Sequence, residues 1–170
     1  MERDIYQSTI RKWLENMQWI QPYAISLTLK QRINNLSIDI YTAQKTMKNF
    51  LTRISRELLG NRHKKKFPLQ RIPSYETKGR LHYHLLIDLP EKNLEEVELI
   101  TGRHWNPNVI PVAYNQTKVK PIYNANGWLN YITKFEKRND DIDIVNTYIG
   151  QHYAKNHRSE SLSTFNTTGL

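Results

Sequence analysis

The sequence predicts an α+β domain, on the strength of three stretches: a two-residue hydrophobic alternation from Tyr23 to Leu29, a three-and-four-residue periodicity from Ile40 to Leu58, and two alternating segments flanking Lys78-Gly79. At 170 residues the chain is long enough for one domain with a real core and short for two.

The elements follow in order. Ile10, Trp13, Leu14 and Met17 recur at helical spacing before Pro22 interrupts them, which predicts a short first helix. Tyr23, Ile25, Leu27 and Leu29 then alternate with Ala24, Ser26 and Thr28, giving a strand with one apolar face and one small, polar face. Ile40, Ala43, Met47, Phe50, Leu51, Ile54 and Leu58 form the apolar stripe of a long helix that stops at Gly60. The run Arg62 to Lys66 is the densest in basic residues and reads as a loop, either solvated or touching phosphate. Leu69 to Thr77 and Arg80 to Leu89 make a hairpin closed by Pro90. Leu94, Val97 and Ile100 suggest an acidic helix, Val109 to Val119 a further strand, and Gly127 to Phe135 another helix. The end from Ser159 is rich in Ser, Thr and Asn with little to bury, so it is expected to fray.

Composition narrows the function. Lys and Arg number 25 against 16 Asp and Glu, and there are ten tyrosines and four tryptophans, a pairing of charge and aromatic faces suited to single-stranded nucleic acid. With no cysteine, thiol nucleophiles, disulfides and zinc-thiolate sites are excluded. The polar start and the lack of an apolar run of about 20 residues lead us to expect an intracellular, soluble protein with no membrane partner.

The chemistry concentrates in the strand Arg80 to Leu89. Its odd positions, Leu81, Tyr83, Leu85, Ile87 and Leu89, are apolar or aromatic and should face the core. Its even positions set His82 and His84 side by side, about 7 Å apart along the strand, on the opposite face. Glu76 joins them only if the hairpin register allows. A two-residue loop, Lys78-Gly79, would turn Glu76 into the core, whereas a three-residue loop, Thr77-Lys78-Gly79, sets it opposite Arg80 on the histidine face. The three-residue form, with Gly79 at its left-handed position, is the expected one. Asp88 shares the face and is the reserve acidic ligand. Two imidazoles and a carboxylate suit Mg²⁺ or Mn²⁺ acting on phosphate, with zinc allowed in principle. In the helix from Gly127, Tyr131 and Lys134 lie three residues apart and so on one side, a phenol beside a fixed cation.

Tyr23 to Leu29, then Gly79-x-x-His82-x-His84 preceded by Glu76, then Tyr131-x-x-Lys134, resemble in their order the three motifs of HUH endonucleases, specifically single-tyrosine rolling-circle replication initiators of virus or plasmid replicons. The resemblance spans about residues 22 to 138. It implies a central antiparallel sheet of about five strands with helices packed on one face, similar to an RNA-recognition-like palm. Residues 1–138 would form the nuclease domain and 139–170 a partly ordered C-terminal extension. It further implies that His82, His84 and Glu76 hold Mg²⁺ or Mn²⁺, that Tyr131 attacks a DNA phosphodiester, and that Lys134 orients Tyr131 or contacts the phosphate. The implied partners are single-stranded DNA or an origin hairpin, with a helicase and polymerase from a bacterial or archaeal host whose cytoplasm is the expected compartment. No phosphate-binding loop of an attached helicase is present. Tyr123 and Tyr148 fall off the helix face of Tyr131, so a homodimer is the expected source of a second acceptor. HUH transposases and relaxases share the chemistry, although relaxases usually place the nucleophile before the histidines. A single-strand-binding protein without catalysis is the alternative of another class, and it leaves the histidines and Glu76 without a role.

Overall fold

The computed structural model describes residues 8, 12, 17–60, 69–77, 80–125, 127–128 and 140–149. Of the first predicted helix only Lys12 and Met17 fall among them, and the basic run Arg62 to Lys66 lies outside them.

Alternation in Pro22–Leu29 (β1) puts Tyr23, Ile25, Leu27 and Leu29 into the core, each at most 2% exposed. After the tight hairpin of Arg32–Ile33 (β2) and Leu36–Ser37 (β3), helix α1 runs from Ile40 to Leu59. Asp39 starts it by accepting the Thr42 amide at 2.7 Å. Gly60, at φ +52°, ends it where a side chain would be strained. Strands β4 (Arg71–Glu76) and β5 (His82–Asp88) follow, then α2 (Leu94–His104), capped by a reciprocal Asn93 and Glu96 pair. Strands β6 (Ala113–Pro121) and β7 (Asp140–Ile142) complete the list.

The five-stranded sheet has the order β6-β1-β5-β4-β7, and every neighbouring pair is antiparallel. Without β7 and the small hairpin, the chain order is β-α-β-β-α-β, the split arrangement in which each helix carries the chain across an intervening strand. Both α1 and α2 pack on one face of the sheet. Their Ala43, Met47, Phe50, Leu51, Ile54, Val97 and Ile100 form one core with the odd-numbered residues of β1 and β5. Trp105, at the end of α2, is fully buried edge-on against Phe50 and donates its indole N–H to the Thr28 carbonyl at 3.0 Å, which ties α2 to β1. The expected α+β architecture, with an antiparallel sheet and helices on one face, is therefore what the chain adopts. Among the described residues no helix is long and apolar enough to cross a membrane.

Two sequence expectations are corrected. The strand expected at Val109 to Val119 begins only at Ala113, because the Asn106 carbonyl takes the Val109 and Ile110 amides and holds the preceding segment as a turn, apolar though it is. The hairpin loop is also longer than three residues. Glu76 pairs with His82, leaving residues 77–81 between the strands. The cause lies outside the hairpin: the Gln31 side chain accepts the Leu81 amide at 2.7 Å and donates to the Leu81 carbonyl at 3.1 Å, while the Leu29 amide also donates to that carbonyl. With both Leu81 backbone groups claimed from the β1 side, β4 has none of them to pair with.

Residues 140–149 belong to the same body. Ile142 and Asp140 pair with Ser74 and Glu76, and Tyr148 exchanges both backbone bonds with Arg71, whose guanidinium lies 5.8 Å from the centre of the Tyr148 ring. Beneath the sheet, Asp143 is fully buried and accepts from Tyr83 Oη at 3.0 Å, Gln44 Nε2 at 3.2 Å and Asn146 Nδ2 at 2.6 Å. Burial, reinforced by the Asp143 charge, pushes the Tyr83 phenol far above its ordinary range, so it stays a donor. Tyr83→Phe should cost about 1–2 kcal/mol, whereas Asp143→Ala, which strands several buried donors at once, should cost about 3 kcal/mol or more. Urea unfolding midpoints compared at constant m-value measure both, and equal costs would overturn the ranking.

Candidate metal centre

The pleat decides which side chains meet. Directly paired residues of neighbouring strands point to the same face, so the register converts into rows across the sheet. One row reads Glu76, His82, Thr28, and the next Ser74, His84, Ser26, Lys118. A third reads Ile72, Leu86, Ala24, Lys120. All of them lie opposite the helices, and Tyr83, between the two histidines, goes to the core with no exposure.

Glu76, His82 and His84 each present one ligand atom, and these atoms lie within 4.8 Å of one another. Glu76 Oε2 is 3.0 Å from His82 Nε2 and 3.7 Å from His84 Nε2, and the two rings stand nearly perpendicular with centroids 4.9 Å apart. The three side chains are 14–25% exposed, sheltered enough to strengthen a charge interaction and open enough to admit a ligand.

Each ring is also held from behind. His82 Nδ1 lies 2.7 Å from the Arg80 carbonyl, and Ser26 Oγ lies 3.2 Å from His84 Nδ1. A carbonyl can only accept, so His82 Nδ1 carries the proton of a neutral ring and Nε2 keeps its lone pair toward Glu76. A lone pair aimed at a carboxylate repels it unless a proton or a metal ion lies between. Ser26 can accept from His84 Nδ1 in the same way. Two imidazole nitrogens backed at Nδ1, together with one carboxylate oxygen, fit a divalent cation in donor type, spacing and outer support.

Three of the residues expected from sequence therefore come together: His82, His84 and Glu76. Glu76 shares the histidine face although its loop was misjudged, because lengthening the loop by two residues preserves the face. Asp88, the reserve ligand, is corrected. It is 2% exposed and its carboxylate accepts the amides of Ile20, at 3.1 and 3.2 Å, and Gln21, at 2.7 Å, so it fastens the chain where it enters β1. Tyr131 and Lys134 lie outside the described residues. The helix expected from Gly127 begins a few residues earlier: Asn124 caps it, accepting the Gly127 amide at 3.0 Å, and Trp128 packs with Ile72, Leu86 and Ile142 on the histidine face. Sequence reasoning missed Ser26 as a support for His84. Its even position in the β1 alternation was the available signal, but the partner strand was unknown.

What fold and site define is a protein with a split β-α-β-β-α-β sheet that carries a candidate divalent-metal centre on its helix-free face. Residues 22–151, well over half of the chain, match the family model of the ORF2-type replication-associated proteins, and the chain belongs to that family. No curated protein and no solved structure matches it.

Two outcomes are expected of the metal centre. Mn²⁺ affinity should fall as pH drops, since protons compete for the Nε2 lone pairs, and calorimetric titration of Mn²⁺ at neutral and mildly acidic pH measures it. Ser26→Ala should leave the fold intact but weaken Mn²⁺ binding about tenfold by removing the partner of His84 Nδ1. Unchanged affinity would remove Ser26 from the site.

Proposed function

We propose that the chain is a single-tyrosine HUH nicking and joining enzyme that initiates rolling-circle replication on single-stranded DNA. The observation that carries this reading is the convergence of Glu76, His82 and His84 on an accessible sheet face, in a member of a replication-associated family.

Mg²⁺ or Mn²⁺, when bound, supplies positive charge to an oxygen of the phosphodiester. The chain's own residues do the rest. Glu76 Oε2 and the two histidine Nε2 atoms hold the ion, and the Arg80 carbonyl and the Ser26 hydroxyl fix the rings. Tyr131, assigned from its place in the sequence, is the nucleophile. Its phenolic oxygen bonds to phosphorus, the bond from phosphorus to the 3′ oxygen breaks, and that oxygen takes up the proton the phenol gives up. The products are a 5′-phosphotyrosine and a free 3′-hydroxyl able to prime synthesis by a host polymerase, with a host helicase opening the duplex. One phosphodiester has been exchanged for another, so attack by a 3′-hydroxyl on the phosphotyrosine rejoins strands. Lys134 orients Tyr131 or contacts the phosphate.

The order of motifs supports a replication initiator over a relaxase, because the histidines precede the tyrosine. Incubation with Mn²⁺ and end-labelled single-stranded oligonucleotides should yield a denaturation-resistant adduct on the fragment with the newly made 5′ end. Tyr131→Phe should abolish it, and His82→Ala should lower its rate by at least about 100-fold while oligonucleotide binding persists. An adduct that survives Tyr131→Phe sinks the assignment of the nucleophile.

A further inference from the structure

The metal centre occupies only one end of the histidine face. Over β5, β4 and β7 that face is covered in part, where Trp128 packs on Leu86, Ile72 and Ile142. Over β1 and β6 its composition is different. Ala24 and Ser26 make a floor of small side chains, and across the strand pair Lys120 and Lys118 stand directly opposite them, both exposed. Lys118 shares its row with Ser26 and His84, so this rim begins level with the metal centre. Following β1 toward its start, from Ser26 to Pro22, covers about 13 Å. There the trough reaches a cavity of about 770 Å³ lined by Trp19, Pro22, Pro121, Ile122, Tyr123 and Asn124 among others. Tyr123 is 97% exposed, an aromatic ring left in water at the mouth of a recess.

Resting on the function proposed above, we propose that this trough is the path of the DNA strand beside the cleaved phosphate, with Lys118 and Lys120 gripping its phosphates and the cavity taking an unpaired base against Tyr123. A small-residue floor lets a sugar-phosphate chain lie close to the sheet, and two lysines on one rim match a row of phosphates in charge. An exposed aromatic at the end of that row offers a stacking face that any base can use. Val119, between the lysines, is buried on the other face, so the alternation of β6 fixes both ammonium groups on the side of the metal centre.

The test uses the full chain and two fluorescent probes of equal length, an oligothymidylate and its abasic counterpart, titrated across a range of salt by anisotropy. Lys118→Gln with Lys120→Gln should reduce the slope of log affinity against log salt by about 1.4 and weaken binding about tenfold near 0.15 M salt. The control pair Lys45→Gln with Lys48→Gln removes the same charge from exposed positions on α1, across the sheet, and should leave the slope unchanged. Tyr123→Ala should reduce the preference for thymidylate over the abasic strand about tenfold. The proposal is overturned if the control pair lowers the slope as much as the rim pair, if the rim pair leaves it unchanged, or if Tyr123→Ala leaves the preference intact, as it would were the cavity filled by anything other than a base. Adduct formation at saturating oligonucleotide is scored separately. A wild-type protein that shows the slope change without any adduct overturns the nicking reaction and leaves the strand path standing.

Discussion

The two-residue pleat of β5 is the constraint on which the rest depends. Because successive side chains point to opposite faces, His82 and His84 can stand together only if Tyr83 points the other way, and Tyr83 can be buried only if the buried end of its side chain finds a partner. Asp143 is that partner, brought in by the segment that follows β7. The candidate metal centre and the closure of the far edge of the sheet are thus two sides of one strand. A change that loosens Asp143 acts on the backbone that spaces the histidines, although it lies across the sheet from them.

The same alternation explains how much could be read in advance. Face assignment needs only local sequence, and for β1, β5, α1 and α2 the apolar residues expected inside are inside. Pairing of the two histidines with Glu76 was legible for the same reason, since the question was one of odd or even loop length. Loop length itself was not legible, because it is set by Gln31, some 50 residues away, acting on Leu81. Asp88 shows the converse limit. Its face was foreseen correctly, but whether a carboxylate there meets a metal or two backbone amides depends on where residues 20 and 21 enter the sheet. Nor could β7 be read: it is three residues long and owes its place to pairing with β4. The Asn34-Asn35 turn of the small hairpin, with both residues at positive φ, did carry a local signal, a two-residue loop between apolar neighbours.

Outer support distinguishes this cluster from an incidental pair of surface histidines. Solvated histidines on a sheet would be free to rotate, and a carboxylate nearby would add a weak, screened attraction. Here each ring is backed at Nδ1 by a group on a rigid element, a carbonyl at the start of β5 for His82 and a serine of β1 for His84. Such backing fixes ring orientation before any ligand arrives, so less ordering remains to be done on binding.

Register also links the metal centre to the proposed strand path. Ser26 belongs to both, since it supports His84 on one side and forms the floor beside Lys118 on the other. The bulge in the β1–β6 pairing falls between Leu27 and Leu29, just past this row, so the regular pairing that aligns Lys118 with Ser26 and Lys120 with Ala24 is confined to the stretch between the metal centre and the cavity. Beyond the bulge β6 no longer keeps that alignment with β1, and a rim of charges built there would not have lined up with the histidine row. The charged rim therefore runs one way from the metal centre, toward the start of β1.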